Sequence, residues 1–257
     1  MSQFGGKPCD TSTRGLARFG FGDRELQILL AVLILVSGIW FLSWLTDHVT
    51  SGNTHELDER LLVVLRNPDN PATPIGPRWL KDVATGITKL GGFAFLTGLT
   101  ISVSIFLGIQ GKHHASLLLI GATTGGFAIM HFLKALINRP RPDVVPALSH
   151  ATDASFPSGH AMLSAVVYLV LGAMLARLVQ RRRLKLFFLM LAIVLTFLIG
   201  LSRVYLGVHY PTDILAGWAA GLIWAIVCWL VTRVLQHSGL VEFDPVLPSD
   251  SSHGQSD

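Results

Sequence analysis

The chain has 257 residues, of which 51% are hydrophobic and only 14% are charged. Soluble domains carry about 25% charged residues, so this composition excludes an ordinary soluble globule and also a disordered chain. Two cysteines are too few for a disulfide scaffold or a cysteine-rich metal module. The net charge of +4 suits either nucleic-acid binding or a membrane protein with basic cytoplasmic loops, and the positions of the charges decide between them.

Six apolar stretches are long enough, or nearly long enough, to cross the roughly 30 Å hydrocarbon core of a membrane. They are Leu26–Thr46, Gly91–Gln110, Ala115–Leu133, His160–Ala176, Leu186–Leu201 and Ile214–Thr232. Too little polar chain remains to cover six such helices in water. We therefore predict an all-α integral membrane protein, a bundle of six transmembrane helices. The first stretch is too long and too far from the start for a signal peptide, so it is expected to be a retained span.

The distribution of basic residues predicts the orientation of this bundle. The short loop from Arg177 to Lys185 carries five of them, and short basic loops stay in the cytoplasm. We therefore expect a cytoplasmic segment 1–25, a six-span domain 26–235 and a cytoplasmic, disordered tail 236–257. The segments after spans one, three and five then face outward. The net charge is thus an orientation signal, and no nucleic-acid partner is predicted.

The outward segment 47–89 is more than a linker. Glu56–Arg66 and Arg78–Leu90 each have a charged and an apolar face at helical spacing, and a breaker cluster, Asn67–Pro74, separates them. Two short helices lying in the membrane interface are predicted. The alternative is a small extramembrane cap that packs on itself.

The remaining polar residues are concentrated in three outward-facing places, Lys134–Pro142, Phe156–His160 and Ser202–Asp213. Lys134, Arg141 and Arg203 are three cations that could converge near the interface. Cations beside a membrane are costly and usually functional, and arginine forks suit a phosphate. The alternative is that each cation extends to the lipid headgroups.

The second and third places supply candidate catalytic groups. Ser158 and Gly159 precede an apolar run, and the free N–H groups of a helix start bind anions, with His160 in the first turn. Gly159 would let an oxyanion approach the backbone. His209 and Asp213 are four residues apart, which on a helix places them on one face, although Pro211 also suits a helix start.

A carboxylate that orients an imidazole leaves the other ring nitrogen as a nucleophile. Two histidines beside three cations suggest phosphoryl transfer through a phosphohistidine. The alternatives are a serine helix cap with an incidental histidine, and a capping aspartate beside a surface histidine.

These residues together resemble the three-part signature of the type 2 phosphatidic acid phosphatase family. The likeness lies in Lys134 to Arg141-Pro142, in Pro157-Ser-Gly-His160, and in Ser202-Arg203 followed at fixed spacing by His209 and Asp213. The layout is similar to the small bacterial members that dephosphorylate phosphatidylglycerol phosphate or undecaprenyl pyrophosphate.

The resemblance implies a role for each matched residue. His209 attacks phosphorus, Asp213 orients it, and His160 protonates the leaving oxygen and later activates water. The phosphate is held by a set of five residues, Lys134, Arg141, Ser158, Gly159 and Arg203. No metal or other cofactor is expected, because the cations take its place. No role is assigned to Asn138, Arg139, Asp143 or Ser202.

The leading interpretation is a lipid phosphatase of the bacterial cytoplasmic (inner) membrane, with its active site on the outer face. Its substrate would be a lipid phosphate or diphosphate, and no obligate protein partner is predicted. Two alternatives stay open: a phosphotransferase that passes the phosphoryl group to a second lipid, and a lipid-phosphate transporter without turnover. The sequence does not determine which lipid is the substrate.

Overall fold

The computed structural model describes residues 23–149 and 153–237. In these ranges it contains eight helices and one two-stranded hairpin: α1 (Asp23–Thr50), α2 (His55–Val64), β1 (Arg66–Asn67), β2 (Asn70–Pro74), α3 (Arg78–Leu90), α4 (Phe93–Ile109), α5 (His113–Ile137), α6 (Gly159–Leu178), α7 (Arg182–Tyr205) and α8 (Pro211–His237). Residues 1–22 and 238–257 lie outside the described residues. The cytoplasmic N-terminal segment and the disordered tail therefore stay predictions.

The long helices match the predicted apolar stretches. α1, α5, α6, α7 and α8 are long and apolar enough to cross a membrane. α4 is shorter, with 17 residues, and continues α3 across a bend of 47°. Counting that bent pair as one span gives up to six, so a mostly helical membrane fold is confirmed at this level.

Helix α6 forms the centre of the bundle. It packs most extensively against α7 and α8, and also against α5 and α4. Eleven of its twenty residues are buried. The outer helices instead expose large apolar side chains, among them Leu33, Trp40, Phe187 and Ile193. Such surfaces are stable only against lipid tails, which explains why so few residues of this chain are charged.

Glycines let α8 approach α6 closely. A Cβ added to Gly217 would lie 2.7 Å from the Ser158 carbonyl oxygen, and one added to Gly221 would lie 2.6 Å from the Met162 carbonyl oxygen. Small residues are typical where membrane helices pack backbone to backbone. The starts of α6 and α8 are thereby held side by side.

The segment between α1 and α4 is folded back onto the bundle. Its helices α2 and α3 agree with the two predicted helices, while the breaker cluster between them forms the hairpin β1–β2, which the sequence analysis did not predict. In this antiparallel hairpin Arg66 pairs with Pro74 and Asn67 with Asn70. Leu62 of α2 packs into a buried cluster with Val145, Tyr210 and Ile214. α2 therefore covers one end of the bundle.

We predict that Gly221→Ala destabilises the protein because its methyl group overlaps the backbone of α6. Overpacking of this kind costs roughly 1–3 kcal/mol. Gly98→Ala on α4 is the matched control, since nothing lies within 4 Å of the added Cβ. The control should keep or gain stability, by up to about 1 kcal/mol of helix propensity. Thermal unfolding of both variants in detergent measures the difference, and equal stability would contradict the packing argument.

Candidate active site

The three polar motifs meet at one end of the bundle because helices that are consecutive in sequence, α5 to α8, run in alternating directions. Lys134 lies in the last turn of α5, and Arg203 lies near the end of α7. His160 and Asp213 lie in the first turns of α6 and α8. The basic loop before α7 is therefore at the opposite end. Residues up to 79 positions apart in sequence form one site through this antiparallel arrangement.

His209 and Asp213 are paired, although not as two positions on one helix. His209 lies in the loop 206–210, and α8 begins only at Pro211. The Nδ1 atom of His209 lies 3.4 Å from Oδ2 of Asp213, which also accepts a hydrogen bond from the Tyr210 backbone N–H at 2.9 Å. The hydroxyl of Ser155 donates to the same oxygen. The contact with Asp213 directs Nε2 of His209 away from the carboxylate.

The loop that carries His209 has a fixed shape. Gly207 has a φ of +72°, in the left-handed region that favours glycine. A Cβ at this position would also overlap Nη2 of Arg66, so the hairpin packs directly on the loop. Any other residue at 207 would displace the backbone two positions before His209.

The surroundings of His209 keep its imidazole neutral. Burial lowers the pKa of His209 to about 4, and the cations Arg141 and Arg203 act in the same direction. The carboxylate of Asp213 opposes this shift without cancelling it. A neutral imidazole has a lone pair on Nε2, which a nucleophile requires.

Arg141 lies directly in front of that nitrogen. Its Nη1 is 3.3 Å from Nε2 of His209 and donates to the Val208 carbonyl oxygen at 2.7 Å. Nη2 of Arg141 and Nζ of Lys134 each lie 2.6 Å from a carboxylate oxygen of Asp153. These two cations hold the pKa of Asp153 well below its usual range, despite the opposing effect of burial. Asp153 thus holds Lys134 and Arg141 together, with Arg141 beside His209.

Two buried polar atoms of the motif residues have no hydrogen-bond partner within the described part of the chain. They are Oγ of Ser158 and Nε of Arg203. Ser158 precedes α6 and makes no side-chain capping bond, and Arg203 donates from Nη1 to Thr88 Oγ1 at 3.2 Å. Unpaired buried donors are costly, so they indicate a ligand that accepts hydrogen bonds.

The absence of a side chain at Gly159 has a consequence for helix packing that the sequence pattern did not indicate. A Cβ on Gly159 would lie 2.6 Å from Sδ of Met130. The absent side chain therefore makes room for α5, while the expected approach of an oxyanion to this backbone stays a prediction. This close approach also brings Lys134 of α5 to the start of α6.

His160 lies beside the break between α3 and α4. A side chain on Gly91 would overlap Ile199 and would touch His160, so the chain passes within contact distance of the imidazole. Arg203, Arg141 and Lys134 are all within electrostatic range of His160. The structure thus brings all eight predicted site residues to one end of the bundle.

Four further residues contact the predicted site residues or their partners, and they were not predicted as functional from the sequence. They are Asp58, Arg139, Asp153 and Ser155. Arg139 donates from Nη1 to Asp213 Oδ1 at 2.8 Å and from Nη2 to Asp58 Oδ2 at 2.9 Å. The pKa of Arg139 is raised, because the two carboxylates outweigh the opposing effect of burial.

The sequence offered one signal for Arg139, its position two residues before Arg141, and none for Asp58. Of the other unassigned residues, Asn138 ends α5 in the left-handed conformation, with a φ of 43°. Ser202 donates to the Ile199 carbonyl oxygen of its own helix. Neither contact involves the site.

The donor set at this end is cationic and does not resemble a metal site. In residues 23–149 and 153–237 no group of three or more histidine, cysteine or carboxylate side chains is arranged to hold a metal ion. Lysine and arginine side chains carry donors only, which suits an anion with several oxygens.

Comparisons with known proteins match this arrangement. The family model described as PAP2 superfamily matches residues 114–236, which include all three motifs. Phosphatidylglycerophosphatase B of Bacillus subtilis (strain 168) is 34% identical over 78% of this chain and 90% of that protein. Lipid A 1-phosphatase of Rhizobium etli is 34% identical over 58% of this chain and 71% of that protein. The crystal structure of a transmembrane PAP2-type phosphatidylglycerolphosphate phosphatase from Bacillus subtilis has a TM-score of 0.69 at 31% identity, covering 78% of this chain and 96% of that one.

We predict a specific pH dependence of stability from His209. Because its pKa falls from 6.5 to about 4 on folding, the unfolded chain binds a proton more readily between these values. Stability is therefore lost as the pH drops from 6.5 towards 4. His209→Asn keeps a donor for Asp213 and should lose less stability over this window. Thermal unfolding in detergent at pH 7 and pH 4.5 measures the two slopes, and identical slopes would contradict the burial of a neutral imidazole.

Proposed function

The chain belongs to the PAP2 superfamily, and we propose that this membrane lipid phosphatase removes the terminal phosphate of its substrate through a phosphohistidine at His209. The observation that carries this proposal is that a neutral, oriented histidine lies at the same end of the bundle as buried hydrogen-bond donors without a partner in the described residues. Nε2 of His209 faces Arg141, while Ser158 Oγ and Arg203 Nε are buried without a partner in the described residues. A phosphoryl group bonded to Nε2 would place oxygens before these donors.

In the first step the lone pair on Nε2 of His209 attacks phosphorus. The N–P bond forms as the P–O bond to the lipid breaks, and the leaving oxygen takes the electron pair. Asp213 stabilises the positive charge that develops on the imidazole. His160, at the same end of the bundle, gives a proton to the leaving oxygen.

In the second step water replaces the histidine. His160, now neutral, removes a proton from water as its oxygen attacks phosphorus, and the N–P bond breaks. Inorganic phosphate leaves, and both histidines return to their starting states. One residue thus acts as acid and then as base, as microscopic reversibility requires.

Lys134, Arg141 and Arg203 stabilise the charge on the equatorial oxygens in both steps. Fixed cations in a dry site require little reorganisation during the reaction, which is why they are effective there. They carry the charge that a metal ion carries in many other phosphatases. The reaction is therefore proposed to be independent of metal ions.

The substrate is proposed to be a lipid phosphate or diphosphate at the outer face of the cytoplasmic membrane. Six spans would place the motifs opposite the basic loop between α6 and α7, which favours the cytoplasm. The two named relatives dephosphorylate a glycerophospholipid and lipid A, according to their names. The site is proposed to bind the phosphate group that such lipids share. A phosphate-release assay on a panel of lipids is therefore needed to identify the substrate.

We expect His209→Asn to reduce phosphate release by roughly a thousandfold or more, because no other group can form the covalent intermediate. The assay measures phosphate from phosphatidylglycerol phosphate, undecaprenyl pyrophosphate, phosphatidic acid, diacylglycerol pyrophosphate and a lipid A phosphate in detergent with EDTA. His131→Gln is the matched control, since His131 lies on α5 and packs against Phe127. Activity that survives in His209→Asn, or that EDTA removes, would refute the mechanism. Adding acceptor lipids tests for transfer to a second lipid.

We expect His160→Gln to accumulate the phosphoenzyme with p-nitrophenyl phosphate. This leaving group departs without a proton, so only the second step still needs His160 as a base. The reaction is run with substrate that carries a radiolabelled phosphate and is stopped rapidly with alkali. The protein should then carry labelled phosphate that acid removes and alkali does not, as a P–N bond requires. If His160→Gln still turns over this substrate but carries no labelled phosphate, that result would count against the two-step reaction.

A further inference from the structure

Asp58 connects the segment before α3 to the catalytic carboxylate. It lies on α2 with an exposed fraction of 0%. Its Oδ1 accepts a hydrogen bond from the Thr212 backbone N–H at 3.1 Å, and its Oδ2 accepts one from Thr212 Oγ1 at 2.5 Å. The same Oδ2 is 2.9 Å from Nη2 of Arg139. Asp58 is therefore bonded to two residues that adjoin Asp213. They are Thr212, 154 residues from Asp58 in sequence, and Arg139, 81 residues from it.

Arg139 is shared between two buried carboxylates. Its Nη1 bonds Oδ1 of Asp213 and Oγ1 of Thr212, each at 2.8 Å, and its guanidinium lies 4.2 Å from the centre of the Tyr210 ring. A buried ion pair is costly to form and much costlier to break, because the remaining charge is left uncompensated. The group Asp58–Arg139–Asp213 has a net charge of −1, whereas Arg139 and Asp213 alone would be neutral.

We propose that Asp58 is a positioning residue for the phosphoryl transfer: by holding Arg139 and Thr212, it fixes Asp213 and leaves that carboxylate its negative charge for His209. This inference rests on the proposed role of His209 as the nucleophile. It assigns segment 47–89 a function in the chemistry, through a residue that does not touch the phosphate.

The charge matters because His209 otherwise faces mainly cations. The groups that act on His209 directly are Asp213 from α8, Arg203 from α7, His160 from α6, and Arg141 and Ser155 from the loop between α5 and α6. Lys134 from α5 acts on His160, and Arg139 bonds Asp213. As Nε2 forms a bond to phosphorus, the ring becomes positive. Neutralising Arg139 through Asp58 lets Asp213 stabilise that charge and keeps His209 basic enough to attack.

The test compares Asp58→Asn with Glu56→Gln, which removes the same charge from the exposed face of the same helix. Asp58→Asn should lower kcat on the order of tenfold and change KM by less than about twofold. With one negative charge fewer near the ring, protonated His209 is less favoured. The acid limb of kcat/KM should therefore move to lower pH, by roughly half a unit. Glu56→Gln should change neither quantity.

A second variant separates this role from that of a structural anchor. Arg139→Lys keeps the positive charge but replaces two separate donor nitrogens, one for each carboxylate, by a single nitrogen, so it should lower kcat and leave the acid limb in place. The double variant should be no slower than the slower single one, because both changes act through Asp213. An unchanged kcat in Arg139→Lys, or an acid limb that stays in place in Asp58→Asn, would overturn the inference. If His209→Asn remained active, the proposed function itself would fail, which is a separate result.

Discussion

The burial of the Asp213 carboxylate is the constraint on which the rest of the site depends. A carboxylate withdrawn from water is tolerated only when its oxygens accept hydrogen bonds or face a cation. Here Arg139, Ser155 and the Tyr210 backbone N–H meet that need, and His209 shares one of the oxygens. These groups come from both loops at this end of the bundle. Folding the loops around one carboxylate therefore sets the direction of the imidazole.

The helices provide the rigid frame that such a loop arrangement requires. α6 and α8 approach closely at Gly217 and Gly221, and α5 approaches α6 at Gly159. Three helix ends are thereby held close to one another by tight packing at small residues. Lys134 lies on α5, Arg141 in the loop between α5 and α6, and Arg203 near the end of α7, so the bundle places positive charge before any phosphate arrives.

The segment between α1 and α4 contributes contacts to the site. Asp58 bonds the start of α8, Thr88 bonds Arg203, and the guanidinium of Arg66 packs on the loop at Gly207. Each contact reaches a residue that belongs to the motifs or lies next to them. The buried face of this segment therefore packs on the site, whereas its predicted place in the membrane interface stays a prediction.

The sequence alone determined the class of fold and the eight motif residues that were predicted for the site. The apolar runs require a membrane, and the spacing of Lys134, Arg141, His209 and Asp213 indicates phosphate chemistry through a known family signature. It could not determine the buried hydrogen bonds and ion pairs between the motifs and the segment before α4. A polar residue of an amphipathic helix, such as Asp58 in α2, has the same local sequence pattern whether it faces water or a guanidinium. Nor could it show that Gly159 serves packing, since only the distance between α5 and α6 reveals Met130. Local periodicity records which face is polar, whereas only tertiary packing decides what that face meets.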